Sequence, residues 1–387
     1  MERKGLIRIT TIPLSLEKLL DGQMAFMKDY FEVVAISAEP EKLENYATKE
    51  GVRFFPLELT RKITPIKDIV AVFKLYRFLK KEKPAIVHTH TPKAGIVGMM
   101  ASWLAGVPNR LHTVAGLPLM EVTGFKRKVL DVVEKLTYRF ATKVYPNSKG
   151  LYDFIIAEKF TSPNKISIIG QGSSNGIDTD YFSPNQVSDS QKNALRKTLG
   201  IGSKDFMFTF IGRLVGDKGI NELVTAFNSS EFKIQNSKLL LVGPVETDLD
   251  PLKSETLLAI ENNPDIISVG YQNDVRPYLA AADALVFPSY REGFPNVVMQ
   301  AGAMGLPSIA TDINGCNEII IPDINGLLIP PKNSEALEDA MRLLTNDVEL
   351  YNRLKYNARI QITSRYERQQ VWDALLAEYQ RLLEEKK

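Results

Sequence analysis

The sequence predicts an α/β protein of two Rossmann-like domains, each a parallel sheet covered by helices. Three observations predict it. Short apolar runs alternate with amphipathic segments of helical length, and this alternation passes along the chain twice. A Gly/Ser/Asn-rich stretch, Gly170-Gln-Gly-Ser-Ser-Asn-Gly-Ile-Asp178, separates the two passes. The length of 387 residues suits two domains of about 180 each. Right-handed crossovers then make each run of strands parallel. The expected division is 1–178, 179–364 and a closing helical segment, 365–387.

A hydrophobic fraction of 44% and a charged fraction of 24% read as a soluble, globular chain. The net charge is +2, unevenly placed: residues 1–182 carry +8 and the remainder −6. A basic first half suits an anionic partner, such as a phosphate-bearing acceptor or a lipid surface; scattered solvated lysines are the alternative. No nucleic-acid partner is expected. The single cysteine, Cys316, excludes an intrachain disulfide and fits a reducing cytosol. No signal peptide is visible, because Arg8 and Pro13 break the first apolar stretch. No run approaches the ~18–20 apolar residues that span a bilayer.

In the first half, Leu6–Thr11 and Glu32–Ser37 read as strands, Leu14–Lys28 and Lys42–Glu50 as helices, and Val52–Phe55 as a further strand. The first loop and helix lack G-x-G-x-x-G, so a dinucleotide fingerprint is absent. Gly22 either permits close approach of substrate or packs helices. Residues 65–83 carry Ile66, Ile69, Val70, Phe73, Leu75, Tyr76 and Leu79 at helical spacing. Ala85–His90 reads as a strand with His88 and His90 on one face. A metal reading lacks a third ligand, so His90 is expected at the strand end, facing a cleft. Lys93 lies over the first turn of the next helix, able to meet phosphate or stand free at the surface. Asn109–Leu117 is a strand running into a loop that contains Gly116 and Glu121. The helix 125–140 has Val129, Val132, Val133, Leu136 and Phe140 on one face and Lys126, Arg127 and Lys128 at one end. Such a helix either lies on an anionic membrane or turns its apolar face to the core. Lys143–Ser148 and Ile166–Ile169 complete this half as strands.

The second half restarts with the strand Phe206–Ile211 and the loop Gly212-Arg-Leu-Val-Gly-Asp-Lys-Gly219. This glycine-bearing loop holds two cations five residues apart and lacks the G-K-[ST] ending of a Walker loop. Leu239–Val242, Ile266–Tyr271, Ala284–Phe287, Pro307–Ala310 and Gly326–Ile329 read as further strands, with helices from Ser334 to the end. Ala284–Phe287 suits a strand buried on both faces. Pro288–Pro295 cannot continue it and forms a polar loop with Glu292 at its tip and Gly293 free to take positive φ. From Asn296 the pattern turns helical. A loop at the carboxyl end of a strand thus meets a helix N-terminus, where open α/β sheets bind ligands and free N–H groups attract phosphate. An ordinary βα loop with a solvated Glu is the alternative. Asp178-Thr-Asp180 and Asp248-Leu-Asp250 are isolated D-x-D triplets and are read as loop residues, so no metal site is expected.

The two loops of the second half resemble those of retaining glycosyltransferases of family 4, with the GT-B fold of two Rossmann-like domains facing a central cleft. That family carries Glu, seven residues, then Glu, inside "EGFP…EA…GLP", together with "GR-L…KG" and "NG-[IV]-D". Here the first acid is Glu292, the second position is Gln300, and Gly212–Gly219 and Asn175–Asp178 match the other two segments. The resemblance implies that Arg213 and Lys218 clasp the donor diphosphate and that Glu292 holds the donor sugar. Gly212, Gly293, Phe294, Pro295 and Asn296 line the donor site, Gln300 sits by the ribose without the usual charge, and Gly270 and Tyr271 contact the base. Gly22, His90, Lys93, Gly116 and Glu121 become candidates for the acceptor side. Many relatives have His-Gly where this chain has Ala115-Gly116. The last helix usually crosses back onto the first domain.

The implied activity is metal-independent transfer of a sugar from a nucleoside diphosphate, UDP favoured, to a hydroxyl acceptor. The acceptor would be a glycan or a polyprenyl-diphosphate-linked precursor of capsular or surface polysaccharide. No cofactor is needed, since the nucleotide sugar is a substrate. The expected location is the cytoplasm, with peripheral contact on the inner membrane face through the helix 125–140. A sugar-nucleotide epimerase of the same fold and a non-catalytic sugar-nucleotide-binding protein are the alternatives.

Overall fold

A computed structural model describes residues 3–60, 62, 64–229, 236–248 and 250–385, without the side chains of Pro118 and Glu121. The chain forms two compact units. One comprises residues up to Gly176 together with those from Arg368 onward; the other is Ile177–Glu367.

In the first unit the strands are β1 (Lys4–Ile9), β2 (Phe31–Ser37), β3 (Arg53–Pro56), β4 (Ile86–Thr89), β5 (Asn109–Val114) and β6 (Lys143–Pro146). They pair in parallel in the order β3-β2-β1-β4-β5-β6, so the strand order reverses between β1 and β4. Both faces are covered. One core joins α1 (Pro13–Leu20), α2 (Gln23–Met27) and α3 (Pro40–Glu50) through Leu16, Leu20, Met24 and Leu43. Leu375, Leu376, Tyr379 and Leu382 of the terminal helix Arg368–Glu384 enter this same core. The opposite core joins α4 (Pro65–Glu82), α5 (Pro92–Ala105), α6 (Gly124–Phe140) and α7 (Lys149–Ala157) through Leu75, Leu79, Val97, Tyr138 and Ile155.

The helix expected over 14–28 is two helices. Gly22 breaks it by adopting φ +74, and its N–H donates to the buried carboxylate of Glu50 at 3.1 Å. The strand expected at 166–169 does not form. Ile166 makes one isolated bridge to Val144 at the edge of β6, and the chain turns away at Gly170, where φ is +58.

Two helices of the first unit turn apolar faces outward. In α4 the inner positions are Ala71, Leu75 and Leu79, whereas Ile66 and Ile69 are 81% and 69% exposed and Val70 and Phe73 are also exposed. In α6 the inner face is Glu134, Thr137 and Tyr138, while Val132, Leu136 and Phe125 stand in solvent, Phe125 at 82%. Of the apolar stripe of α6, Phe140 packs against the core and Val129 and Val133 are half-buried, while Val132 and Leu136 face solvent, so the core-facing reading holds only in part. The reason lies in α5: Gly95 lets neighbours in so closely that a Cβ there would sit 2.6 Å from His112 and 3.1 Å from Thr137. That approach draws the Thr137 side of α6 inward. Burial also lifts the Glu134 carboxyl to about 7.

In the second unit the strands are β7 (Phe206–Ile211), β8 (Ser237–Val242), β9 (Ile266–Ser268), β10 (Ala284–Phe287), β11 (Ser308–Thr311) and β12 (Gly326–Ile329). They are parallel in the order β12-β11-β10-β7-β8-β9. The helices are α8 (Asp189–Thr198), α9 (Ile220–Phe227), α10 (Ser254–Asn262), α11 (Arg276–Ala281), α12 (Asn296–Ala303), α13 (Cys316–Ile319), α14 (Ser334–Asn346) and α15 (Val348–Tyr366). Strand β10 is buried throughout, as expected for a central strand covered on both faces. Strand β9 ends at Ser268, short of the expected Tyr271, because Gly270 takes φ +66.

Candidate active site

The second unit gathers four loops at the carboxyl ends of β7, β8, β10 and β11. The loop after β7 contains a short 3-10 turn, Gly216–Lys218, before α9. Gly219 ends that turn at φ +71, and a Cβ there would lie 2.1 Å from the carbonyl oxygen of Pro288. A Cβ on Gly243, after β8, would lie 1.8 Å from the carbonyl oxygen of Gly212. No side chain fits either place, so glycine brings these backbones into contact. Hydrogen bonds then register the loops. Leu214 N–H donates to Pro244 O at 2.8 Å, Tyr290 N–H to Asp217 O at 2.9 Å, and Gly216 N–H to Asp250 O at 2.9 Å. Asp250, read from the sequence as an incidental loop residue, also accepts from Asp217 N–H at 2.5 Å. Its neighbour Leu249 lies outside the described residues.

This registration places Lys218 Nζ 2.5 Å from Glu292 Oε1, with both side chains less than one-fifth exposed. The same carboxylate oxygen accepts from Ser289 Oγ at 3.0 Å. Thr311 Oγ1 donates to the Ser289 carbonyl at 2.5 Å. Asn314 Nδ2 donates to the carbonyls of Glu292 and Gly293, at 3.0 and 2.7 Å. With those carbonyls drawn towards Asn314, the loop enters α12 with Pro295 as its N-cap and no side-chain cap. Phe294 is buried with its ring 5.3 Å from that of Tyr366. Gln300 lies half-buried one turn into α12.

Arg213 of the same glycine-bearing loop pairs with Glu246 at 2.8 Å and is nearly half exposed. The Gly270 carbonyl accepts from Gly243 N–H at 2.8 Å, and Tyr271 beside it is 66% exposed. Cys316, at the start of α13, is buried; burial first, and the Glu292 charge second, push its thiol well above the usual range. The sequence marked Arg213, Lys218, Glu292 and Gln300, and the loop Asp312–Glu318 as near the site, but did not single out Ser289, Thr311, Asn314 or Glu246. A hydroxyl three residues before Glu292 and an Asn-Gly pair in the next βα loop were the available signals.

In the first unit the candidates are scattered. Gly22 packs against the terminal helix, where a Cβ would meet Trp372 at 3.0 Å. His90 is not an open ligand at a strand end: it is buried and accepts a 3.0 Å hydrogen bond from Arg8 Nε. Lys93 is not a plain surface lysine, since its side chain is nearly buried and pairs with Asp68 at 2.5 Å. Gly116 follows β5 in a half-buried turn, and the side chain of Glu121 lies outside the described residues.

Residues 191–361 match the family described as glycosyl transferases group 1, and residues 25–172 match the glycosyl transferase 4-like domain. The capsular polysaccharide biosynthesis glycosyltransferase CapM of Staphylococcus aureus is 31% identical over 386 residues, covering 100% of this chain and 99% of that protein. The chain belongs to the group 1 glycosyltransferases. A second glycosyltransferase relative is the UDP-Gal:α-D-GlcNAc-diphosphoundecaprenol α-1,3-galactosyltransferase of Escherichia coli, 32% identical over 87% of this chain and 85% of that protein. In fold, the glycosyltransferase of Rickettsia africae is similar with a TM-score of 0.82 at 19% identity, covering 99% of both chains. Anabaena HepE, solved in complex with UDP and glucose, is similar with a TM-score of 0.78 at 18% identity, covering 97% of this chain and 99% of that one. The fold of this glycosyltransferase is GT-B.

Proposed function

We propose that this glycosyltransferase moves a sugar from a nucleoside diphosphate, UDP by preference, to a hydroxyl of a lipid-linked glycan precursor, with retention and without a metal or cofactor. The observation that carries this reading is the Lys218–Glu292 pair. One loop supplies the cation for a leaving diphosphate, the next supplies a carboxylate for sugar hydroxyls, and the two meet at 2.5 Å. The names of the relatives support the substrates: the Escherichia coli enzyme uses UDP-Gal and a diphosphoundecaprenol acceptor, and CapM acts in capsular polysaccharide biosynthesis.

In this reading Arg213 and Lys218 stabilise the charge that develops on the diphosphate as the sugar C1–O bond breaks. Each holds a carboxylate partner that the diphosphate would displace or share. Glu292 orients the sugar, with backbone N–H groups of Gly293, Phe294 and Asn296 beside it. The acceptor hydroxyl attacks the same face of C1, and its proton passes to the departing phosphate oxygen, so no enzymic nucleophile is required. Gly212 borders the diphosphate, Gln300 the ribose, and Gly270 and Tyr271 the base. The first unit, residues 1–178 in the sequence division, would hold the acceptor, with Lys93, Gly116 and Glu121 its remaining open candidates.

Thermal stabilisation tests the donor class. UDP, GDP and their sugars are added at millimolar concentration with and without Mg²⁺. A metal-independent rise with UDP is expected, growing as ligand exceeds Kd. GDP alone raising the midpoint would overturn the base, and a strict Mg²⁺ requirement would overturn metal independence. In the same assay Gln300→Glu is expected to tighten UDP several-fold, because a charged acceptor bonds ribose hydroxyls more strongly than an amide. Weaker binding would mean that the amide is fitted to this donor.

The proposed location is the inner face of the cytoplasmic membrane. Among the described residues no helix is long and apolar enough to cross a membrane. The outward faces of α4 and α6 instead offer Ile66, Ile69, Phe73, Phe125, Val132 and Leu136 beside ten Lys and Arg against four Asp and Glu on those two helices. Apolar residues ringed by cations suit an anionic bilayer surface. The full chain is expected to sediment with vesicles containing anionic lipid at low salt, and to lose most of that binding in Ile69→Ser/Phe125→Ser. Equal recovery with purely zwitterionic vesicles would contradict it.

A further inference from the structure

The first unit contains a cavity of about 20 Å³ at the carboxyl half of its sheet, lined by Arg8, Gln23, His88, His90, Asn147 and Ser174 among others. Open α/β sheets bind ligands at this end of their strands. Arg8 is fully buried on β1. Its Nε donates to His90 Nε2 at 3.0 Å and its Nη2 to Gln23 Oε1 at 2.5 Å. Neither partner is a carboxylate. Its Nη1 has no partner among the described residues. Arginine does not lose its proton in proteins, so a whole positive charge sits here out of water with two neutral neighbours.

The tautomer of His90 adds a second donor. Burial holds this imidazole neutral, well below its ordinary range. Its Nε2 accepts from Arg8, so its proton is on Nδ1. That Nδ1–H is buried, has no partner among the described residues and points away from Arg8 across the ring. The other polar groups of the wall are occupied. His88 bonds Tyr379 and Thr113 at 2.6 and 2.7 Å, and Gln23 Nε2 donates to Ser174 O at 3.1 Å and Asn175 Oδ1 at 2.9 Å. The third unpartnered atom is Asn147 Oδ1, whose amide reaches Ser174 Oγ by a long 3.4 Å bond. Rotating that amide by half a turn presents Nδ2 to the cavity and lets Oδ1 accept from Ser174.

We propose that this cavity is an anion subsite, separate from the donor site, that takes one negatively charged atom: a halide, or a terminal oxygen of a phosphate group. Its size admits about one water-sized atom, which excludes a whole phosphate but not the tip of one. A water molecule would satisfy the Arg8 Nη1 donor yet leave the charge of Arg8 uncompensated; an anion does both. This assignment does not depend on the reading of the second unit.

The test uses the full chain. Crystals grown in sodium bromide are expected to show an anomalous peak within hydrogen-bonding distance of Arg8 Nη1. Adding methyl phosphate or pyrophosphate then separates the sources. Loss of the peak assigns the subsite to phosphate-bearing ligands, and its persistence assigns it to a free halide. In solution, bromide at about ten times its Kd should raise the thermal midpoint by about 3–6 °C over gluconate at equal ionic strength. That rise should vanish in Arg8→Gln. An ordered water with no anomalous signal overturns the proposal, as does an equal rise in Arg8→Gln. The crystallographic test needs no variant, so it stands even if Arg8→Gln does not fold.

Discussion

Lys218→Ala lowers the rate of sugar transfer by about 10²–10³-fold, the usual effect of removing one fixed group that stabilises developing charge. The loss falls on kcat as well as on donor affinity, because the charge on the diphosphate grows as the C1–O bond breaks. Lys218 also holds Glu292 in place at 2.5 Å, so its removal frees the carboxylate to which the proposed function gives the orienting of the sugar. The two residues should therefore be non-additive: Lys218→Ala/Glu292→Ala loses less than the product of the single losses. Lys218→Arg rescues only part, since a planar fork does not replace a compact ammonium wedged against one carboxylate oxygen. Rates of nucleotide release in the presence of acceptor would check this. A loss below tenfold in Lys218→Ala, with an unchanged thermal midpoint, would place the stabilising charge elsewhere.

Gly219→Ala is expected to destabilise the second unit by about 3 kcal/mol, lowering its melting midpoint by about 6–12 °C. Two effects act at once. Alanine is strained at φ +71, and its Cβ would lie 2.1 Å from the Pro288 carbonyl oxygen, a backbone atom that no rotamer change can move. Relief requires the loop after β7 to part from the loop after β10. That separation stretches Tyr290 N–H from Asp217 O and Lys218 from Glu292. Nucleotide binding should thus weaken together with stability. Calorimetry of the variant with and without UDP measures both. A variant with a native midpoint and weakened UDP binding would show that the loops part without strain, and native behaviour in both would contradict the contact.

By itself the sequence determined the architecture and the loops that form the candidate site. Strands such as Phe206–Ile211 and Ala284–Phe287 are short apolar runs cut off by glycine or proline, and that signal is local. The loops bearing Arg213, Lys218 and Glu292 were legible for the same reason: each follows such a strand and leads into a helix. Only tertiary structure decided which side chains meet. Lys218 and Glu292 are 74 positions apart, and their contact depends on the parallel pairing of β7 with β10 and on two backbones touching at Gly219. Asn314 and Thr311 hold the Glu292 loop through long-range bonds to the carbonyls of Glu292, Gly293 and Ser289, which no periodicity records.

The helices show the same division. The period of α4 reveals apolar residues on two faces, Ile66, Ile69 and Phe73 on one and Ala71, Leu75 and Leu79 on the other, but a period carries no direction. Packing against α5 chose the second face and left the first in solvent. In α6 the close approach at Gly95 put Glu134, Thr137 and Tyr138 inside against the apolar stripe. In the sequence Lys93 is a cation at a helix start and Arg8 an interruption of the first apolar stretch. The fold paired one with Asp68 and enclosed the other among neutral partners, because burial and counter-charge depend on neighbours that are distant along the chain.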